Sequence, residues 1–407
     1  MRSLKTFESF RSPSYGIYFG SMVGNWAAMS MQMLTRSLLI YRLTGSAATI
    51  GVVALANAIP SLLVSLLAGA IADRMQKKYI LFAGRLASGV SSLIIAFALT
   101  TGYLSSEHLG SWWVVVASAL LQGAANGFLQ PANMAIIPEI VGRERVMNAI
   151  SLSNMGQQVF RLVGPTLAGF LVDVSGFAAV HYLMAVMYVI SAVVTLFLPY
   201  TGALAGSRRS TLGHMLDGFR YIRRETIILL IVVFAVCHII SGQPYGQLLP
   251  VFTENILKVG AKGMGVLNSV SAAGTLLVSL SLASLPNKNR GLMLLLSGVV
   301  MGLAIMVFSY SHWWYLSLAM MPFIGFGPAV HSTMTSTLVQ SYVEPNYRAR
   351  MQSFVTMASG LASFGTFFAG VLADIVGVQW SVGGMALFLT FISIVFLIFA
   401  PRLRKLE

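Results

Sequence analysis

Three sets of polar side chains stand in stretches that are otherwise apolar. Arg161 falls midway along 147–174, with Asn154, Gln157 and Gln158 in the two turns before it. Gln122, Asn126, Gln130 and Asn133 recur at steps of four, four and three within 111–136. Asn25, Gln32 and Arg36 recur at steps of seven and four within 14–40. On a helix each set falls broadly on one face. Such groups offer reversible recognition: amides donate and accept hydrogen bonds, and a guanidinium pairs with anions or polar groups. His238, ahead of Gly242 and Pro244, and His331, after Gly325, Gly327 and Pro328, could also carry a proton. Asn268 offers one more amide. For any single amide, a hydrogen bond to a neighbouring helix is the alternative to ligand contact.

Covalent and metal chemistry find no residues arranged for them. The six histidines and the single cysteine, Cys237, never take metal-ligand spacing, and no GxxxxGK[ST] loop offers to bind a nucleotide. No enzyme activity and no cofactor are expected. The twelve acidic residues all avoid the centres of the apolar stretches, which leaves no central carboxylate as a proton carrier. Arg161 at mid-span, with Arg36 and Arg85 nearer the ends of their stretches, then favours neutral or anionic amphiphiles over cationic ones.

The elements that must position these groups are membrane helices. Apolar residues make up 57% of the chain and charged ones 9%, too few to cover a water-soluble protein of this size. A hydrocarbon core takes roughly 20 apolar residues per helix. Twelve segments qualify: 14–40, 47–72, 79–101, 111–136, 147–174, 178–199, 226–249, 264–285, 292–310, 313–338, 351–376 and 380–400. The first is read as a retained helix, not a cleaved signal. The fold class expected is an all-α integral membrane protein of twelve transmembrane helices. The net charge of +14 collects in alternate loops, which places both termini in the cytoplasm of a cell-membrane protein. That charge reflects orientation in the lipid bilayer; no nucleic acid is expected as a partner.

The chain also repeats itself. GFLVDVSG (169–176) in the fifth segment returns as GVLADIVG (370–377) in the eleventh. Two parallel six-helix halves follow, 1–200 and 226–407, joined by a basic cytoplasmic linker at 201–225, with a substrate path between pseudo-symmetric halves. A monomer is expected.

Two motifs bear on movement. GAIADRMQKK (69–78) makes a very short charged turn between the second and third segments. Gly69 permits close approach. Asp73 can accept from the amino-terminal amides of a facing helix, that of the eleventh segment near Arg348 and Arg350. Arg74, Lys77 and Lys78 either assist this latch or only enforce orientation. In RLVGPTLAG (161–169), Gly164 and Gly169 let another helix pack on the backbone, and Pro165 allows a kink.

On these motifs the chain resembles a twelve-helix member of the major facilitator superfamily, over nearly its whole length. Gly69, Asp73, Arg74, Lys77 and Lys78 fit that superfamily's signature, and Gln76 departs from its usual glycine. LTGSAATIG (43–51), QPANMAIIPEIVGRERVMNA (130–149), RLVGPTLAG and LLPVFTENILKVGAKGMGVL (248–267) resemble the drug/proton antiporter branch that contains macrolide efflux proteins and enterobactin exporters. The resemblance implies export of a small amphipathic substrate by alternating access, with protons as coupling ion. Two departures weaken the proton part: Asn25 stands where relatives in the branch often have an acid, and Ala119 where many proton antiporters have an arginine. A proton-independent facilitator or a lysophospholipid flippase is the alternative. A sensor that transports nothing is a third reading.

Overall fold

The computed structural model describes residues 5–72, 75–108, 110–199, 223–284, 288–344, 347, 351, 358 and 360–406. Among them every regular element is a helix. Four lead: α1 (Pro13–Thr44), α2 (Ala47–Ala72), α3 (Lys77–Thr100) and α4 (Trp113–Val141). The run Val146–Leu196 turns at Gly176 (φ 77°, ψ 170°), so it divides into α5 (146–175) and α6 (177–196). The seventh span is composite: α7 (Thr226–Gly242), then α8 (Pro244–Val251) and a π turn at Phe252–Ile256. Pro244 lacks the amide that would continue α7, and the break falls where the sequence places it. The remainder are α9 (Gly260–Ser284), α10 (Arg290–Tyr310), α11 (Trp314–Tyr342), α12 (Ala362–Val376), α13 (Val378–Phe399) and the short α14 (Pro401–Arg404).

Seven of these runs are long and apolar enough to cross a membrane by composition alone. The three longest helices outside that set are α1, α4 and α11. They fall short because they bear the polar residues singled out above, which a lipid-facing helix would not tolerate. The opposite faces of the bundle are apolar; Phe97 and Phe399, for example, are exposed side chains suited to hydrocarbon.

The chain forms two compact units, residues 1–45 with 56–207 and residues 46–55 with 208–407. The first packs Tyr15, Tyr18 and Trp26 of α1 with Leu81, Ile136 and Leu152. The second packs Ile231 and Phe234 with Leu294, Leu338 and Leu403. What holds residues 46–55 in the second unit is visible. The Asp374 carboxylate accepts from the amides of Ala47 (2.7 Å) and Ala48 (3.1 Å) and from the Ser46 hydroxyl (2.5 Å). It thereby satisfies the unpaired amides that open α2.

The internal repeat has a backbone cause. Gly176 and its counterpart Gly377 (φ 91°) both take the left-handed conformation, each ending one span and starting the next. Only glycine does so without strain.

In the charged turn, Asp73 and Arg74 lie outside the described residues, as do Arg348, Arg350 and 200–222 of the linker. Gly69 falls in the last turns of α2. Lys77 and Lys78 open α3 and are buried. Lys77 pairs with Glu139 of α4 at 2.5 Å. Lys78 reaches the Leu198 carbonyl at 3.4 Å and lies over the Tyr79 ring.

Candidate functional site

The site is built where glycines bring helices of the first unit together. A Cβ at Gly164 of α5 would run into the Ser30 hydroxyl of α1, and Pro165 beside it is buried. About two turns earlier, a Cβ at Gly156 would lie 2.6 Å from the Trp26 ring. Further along α5, Gly169 is buried too. The contact of α2 with α4 is of the same kind: Gly123 faces the Asn57 backbone, and the Asn57 amide donates to the Ala119 carbonyl at 3.2 Å. Small residues at such crossings let backbones approach closely.

These four helices wall a cavity of about 320 Å³. From α1 come Trp26, Met29, Ser30, Gln32, Met33 and Arg36. Asn57 comes from α2, Gln122 and Asn126 from α4, and Gln157 and Arg161 from α5. Six residues read from the sequence as binding groups thus share one wall: Gln32, Arg36, Gln122, Asn126, Gln157 and Arg161. Asn25 is buried on α1 and outside the lining. Trp26 and Asn57 were not among the candidates. Asn57 did carry a signal, as the sole amide in the apolar run 47–72.

The wall has internal order. Tyr188 of α6 donates its hydroxyl to Gln32 Oε1 at 2.9 Å, fixing that amide. Gln122 is buried, and its Oε1 has no hydrogen-bond partner. Arg36 makes no hydrogen bond and no ion pair among the described residues. Among the described residues no Asp or Glu lines the cavity.

Arg85 has a different fate from Arg36, although both were grouped with Arg161 on charge. It is fully buried in α3, and its guanidinium donates to the Ser21 hydroxyl (2.9 Å), the Ser191 carbonyl (3.3 Å) and the Thr195 hydroxyl. Those bonds tie α3 to α1 and α6, away from the cavity.

The remaining candidates lie in the second unit. Asn268 donates to the Met264 carbonyl of its own helix at 3.1 Å. His238 of α7 and His331 of α11 stack face to face, with ring centroids 4.1 Å apart and planes 4° from parallel. Both are buried, and neither nitrogen of His238 nor Nδ1 of His331 has a hydrogen-bond partner.

Set against known proteins, residues 14–366 match the family model of the Major Facilitator Superfamily. A staphyloferrin A transporter of Staphylococcus aureus is 24% identical over 406 residues, covering 98% of this chain and 97% of its own length. The enterobactin exporter EntS of Shigella boydii is 24% identical over 350 residues, covering 83% of this chain and 78% of its own. The crystal structure of the nucleoside transporter NupG shares the fold with a TM-score of 0.74 at 15% identity, covering 97% of this chain and all of that one, to 100%. Neither the family nor these relatives are enzymes. The chain is a membrane transporter and belongs to the major facilitator superfamily.

Proposed function

We propose that the protein is a secondary exporter of small amphipathic molecules, drug-like compounds or siderophore-like metabolites, working by alternating access. It acts as a monomer in the cell membrane with both termini in the cytoplasm, and protons entering the cell drive the export. The observation that carries this reading is the cavity of the first unit, which joins the apolar surface of Trp26, Met29 and Met33 to the polar wall of Gln32, Gln122 and Gln157. A cavity mixed in this way suits an amphipathic ligand. The names of the relatives, a staphyloferrin A transporter and an enterobactin exporter, support small molecules as cargo and export as direction.

In this reading the charged turn and the glycine-proline stretch of α5 gate the path, with Gly69, Asp73, Arg74, Lys77 and Lys78 in the first and Gly164, Pro165 and Gly169 in the second. Asn25 of the first unit, and Asn268, His238 and His331 of the second, are further candidates for contact with substrate or proton. Because no carboxylate lines the cavity, a second reading has an observation behind it: a proton-independent facilitator or lysophospholipid flippase.

The test has two stages. A strain lacking the protein is screened for compounds that it retains. The hits are then followed into inverted vesicles with and without an imposed proton gradient. Accumulation that needs the gradient supports the exporter. Equal flux without it favours the facilitator, and no flux of any compound overturns both.

A further inference from the structure

We propose that the cavity of the first unit seats an amphipathic organic anion, its acidic group held by Arg36 with Arg161 as a second cation. The inference rests on the transport reading above and names its substrate class. A guanidinium inside a membrane protein persists only where a partner or water stabilises its charge. Arg85 shows how this chain supplies partners when an arginine is structural, with two hydroxyls and a carbonyl around it. Arg36 has no such shell. It makes no hydrogen bond or ion pair among the described residues, yet it stands on the wall of an open space. That wall carries Arg161 as well, and no Asp or Glu among the described residues stands in the lining beside Arg36.

A ligand carboxylate would pair with Arg36. The guanidinium fork presents parallel N–H donors that match two carboxylate oxygens, a match that a neutral ester or amide lacks. Gln122, whose Oε1 has no partner in the protein, can accept from a donor elsewhere on the same ligand. Met29 and Met33 adapt to an apolar body of varied shape. At about 320 Å³ the cavity sits at the small end of ligand sites, which run from roughly 300 to 1,000 Å³. A cationic amphiphile would bring its charge against two arginines, so the lining selects against it as well as for the anion.

The experiment uses the purified full chain and a panel of dansyl-labelled amphiphiles. Each apolar body is made as a carboxylate, as its methyl ester and as the corresponding amine. Binding is read by fluorescence in detergent, and flux in proteoliposomes. The wild type should bind each carboxylate about tenfold or more tightly than its ester, the scale of one charge-assisted hydrogen-bonded pair. Arg36→Gln should erase that preference, costing carboxylates about tenfold more affinity than esters, and Arg36→Lys should retain part of it. Equal binding of carboxylates and esters by the wild type, preference for amines, or no carboxylate bound at all would overturn the seat. So would equal losses for ester and carboxylate in a folded Arg36→Gln protein. If that variant does not fold, the wild-type ranking and Arg161→Gln decide. Flux separates the two claims. Transport of esters or amines without carboxylate preference sinks the seat and keeps the transporter. The expected binding ranking with no flux of any probe sinks the transporter and keeps the seat.

Discussion

The cavity wall of the first unit and the histidine stack of the second pose the same problem and solve it differently. Both set polar groups inside helices that must live in hydrocarbon. In the first unit the groups surround open space: Arg36 makes no hydrogen bond or ion pair among the described residues, and Gln32 is held in place by Tyr188. In the second His238 and His331 are buried and stack at 4.1 Å, with three of their ring nitrogens lacking a hydrogen-bond partner among the described residues. A permanent cation beside an opening calls for a ligand. Buried ring nitrogens without partners already carry a cost, and a charge placed on either ring would add to it. On the proposed reading this is a division of labour, with substrate charge read in the first unit and any proton coupling left to the second.

Arg36→Gln should break the first half of that division most severely. Carboxylate flux in proteoliposomes should fall by about tenfold or more, with the protein still monodisperse and still exchanging neutral esters. Next in size is Gly164→Val. Its side chain would collide with Ser30 and push α5 from α1, destabilising the protein by about 1–3 kcal/mol. Thermal melting of the purified protein measures this, and an unchanged melting temperature would mean that the wall is looser than described. Asp374→Asn removes a charge from the start of α2 within the second unit. The expected loss is about 0.3–1 kcal/mol of stability, smaller in high salt, with probe binding in the first unit untouched. The smallest effect on simple exchange belongs to the double variant His238→Gln, His331→Gln, less than about twofold in rate if the comparison holds. That variant should nonetheless lose accumulation driven by a proton gradient. Retained accumulation would reduce the stack to a packing feature.

The sequence discloses spans and breaks because those depend on local chemistry. Apolar length sets the spans, and the proline at 244 and the glycines at 176 and 377 set the breaks. The cavity was half legible. Steps of three, four and seven put Gln122 with Asn126 and Gln32 with Arg36 on shared faces, and the structure brings those faces to one wall. What stayed hidden depends on partners far away in the chain. Nothing local tells Arg85, bonded to hydroxyls from α1 and α6, from Arg36, set on the cavity wall. Nothing local pairs Lys77 with Glu139, stacks His238 on His331, or assigns the first turns of α2 to the second unit. The latch read at Asp73 lies outside the described residues, whereas Asp374 makes a contact of the same chemistry on the start of α2.

The central claim is that the cavity of the first unit holds the substrate, and thiol protection tests it most directly. Cys237 is the only native cysteine, so Cys237→Ser gives a silent background. Into it Gln157→Cys places a thiol on the cavity wall, and Trp313→Cys places one on an exposed position at the start of α11. Each is labelled with a maleimide in proteoliposomes, with and without a saturating dansyl-labelled carboxylate. The account predicts that the carboxylate slows labelling at position 157 by about tenfold, the occupancy expected near ten times its dissociation constant, and leaves position 313 unchanged. Equal labelling rates at position 157 with and without a carboxylate that is demonstrably transported would contradict it.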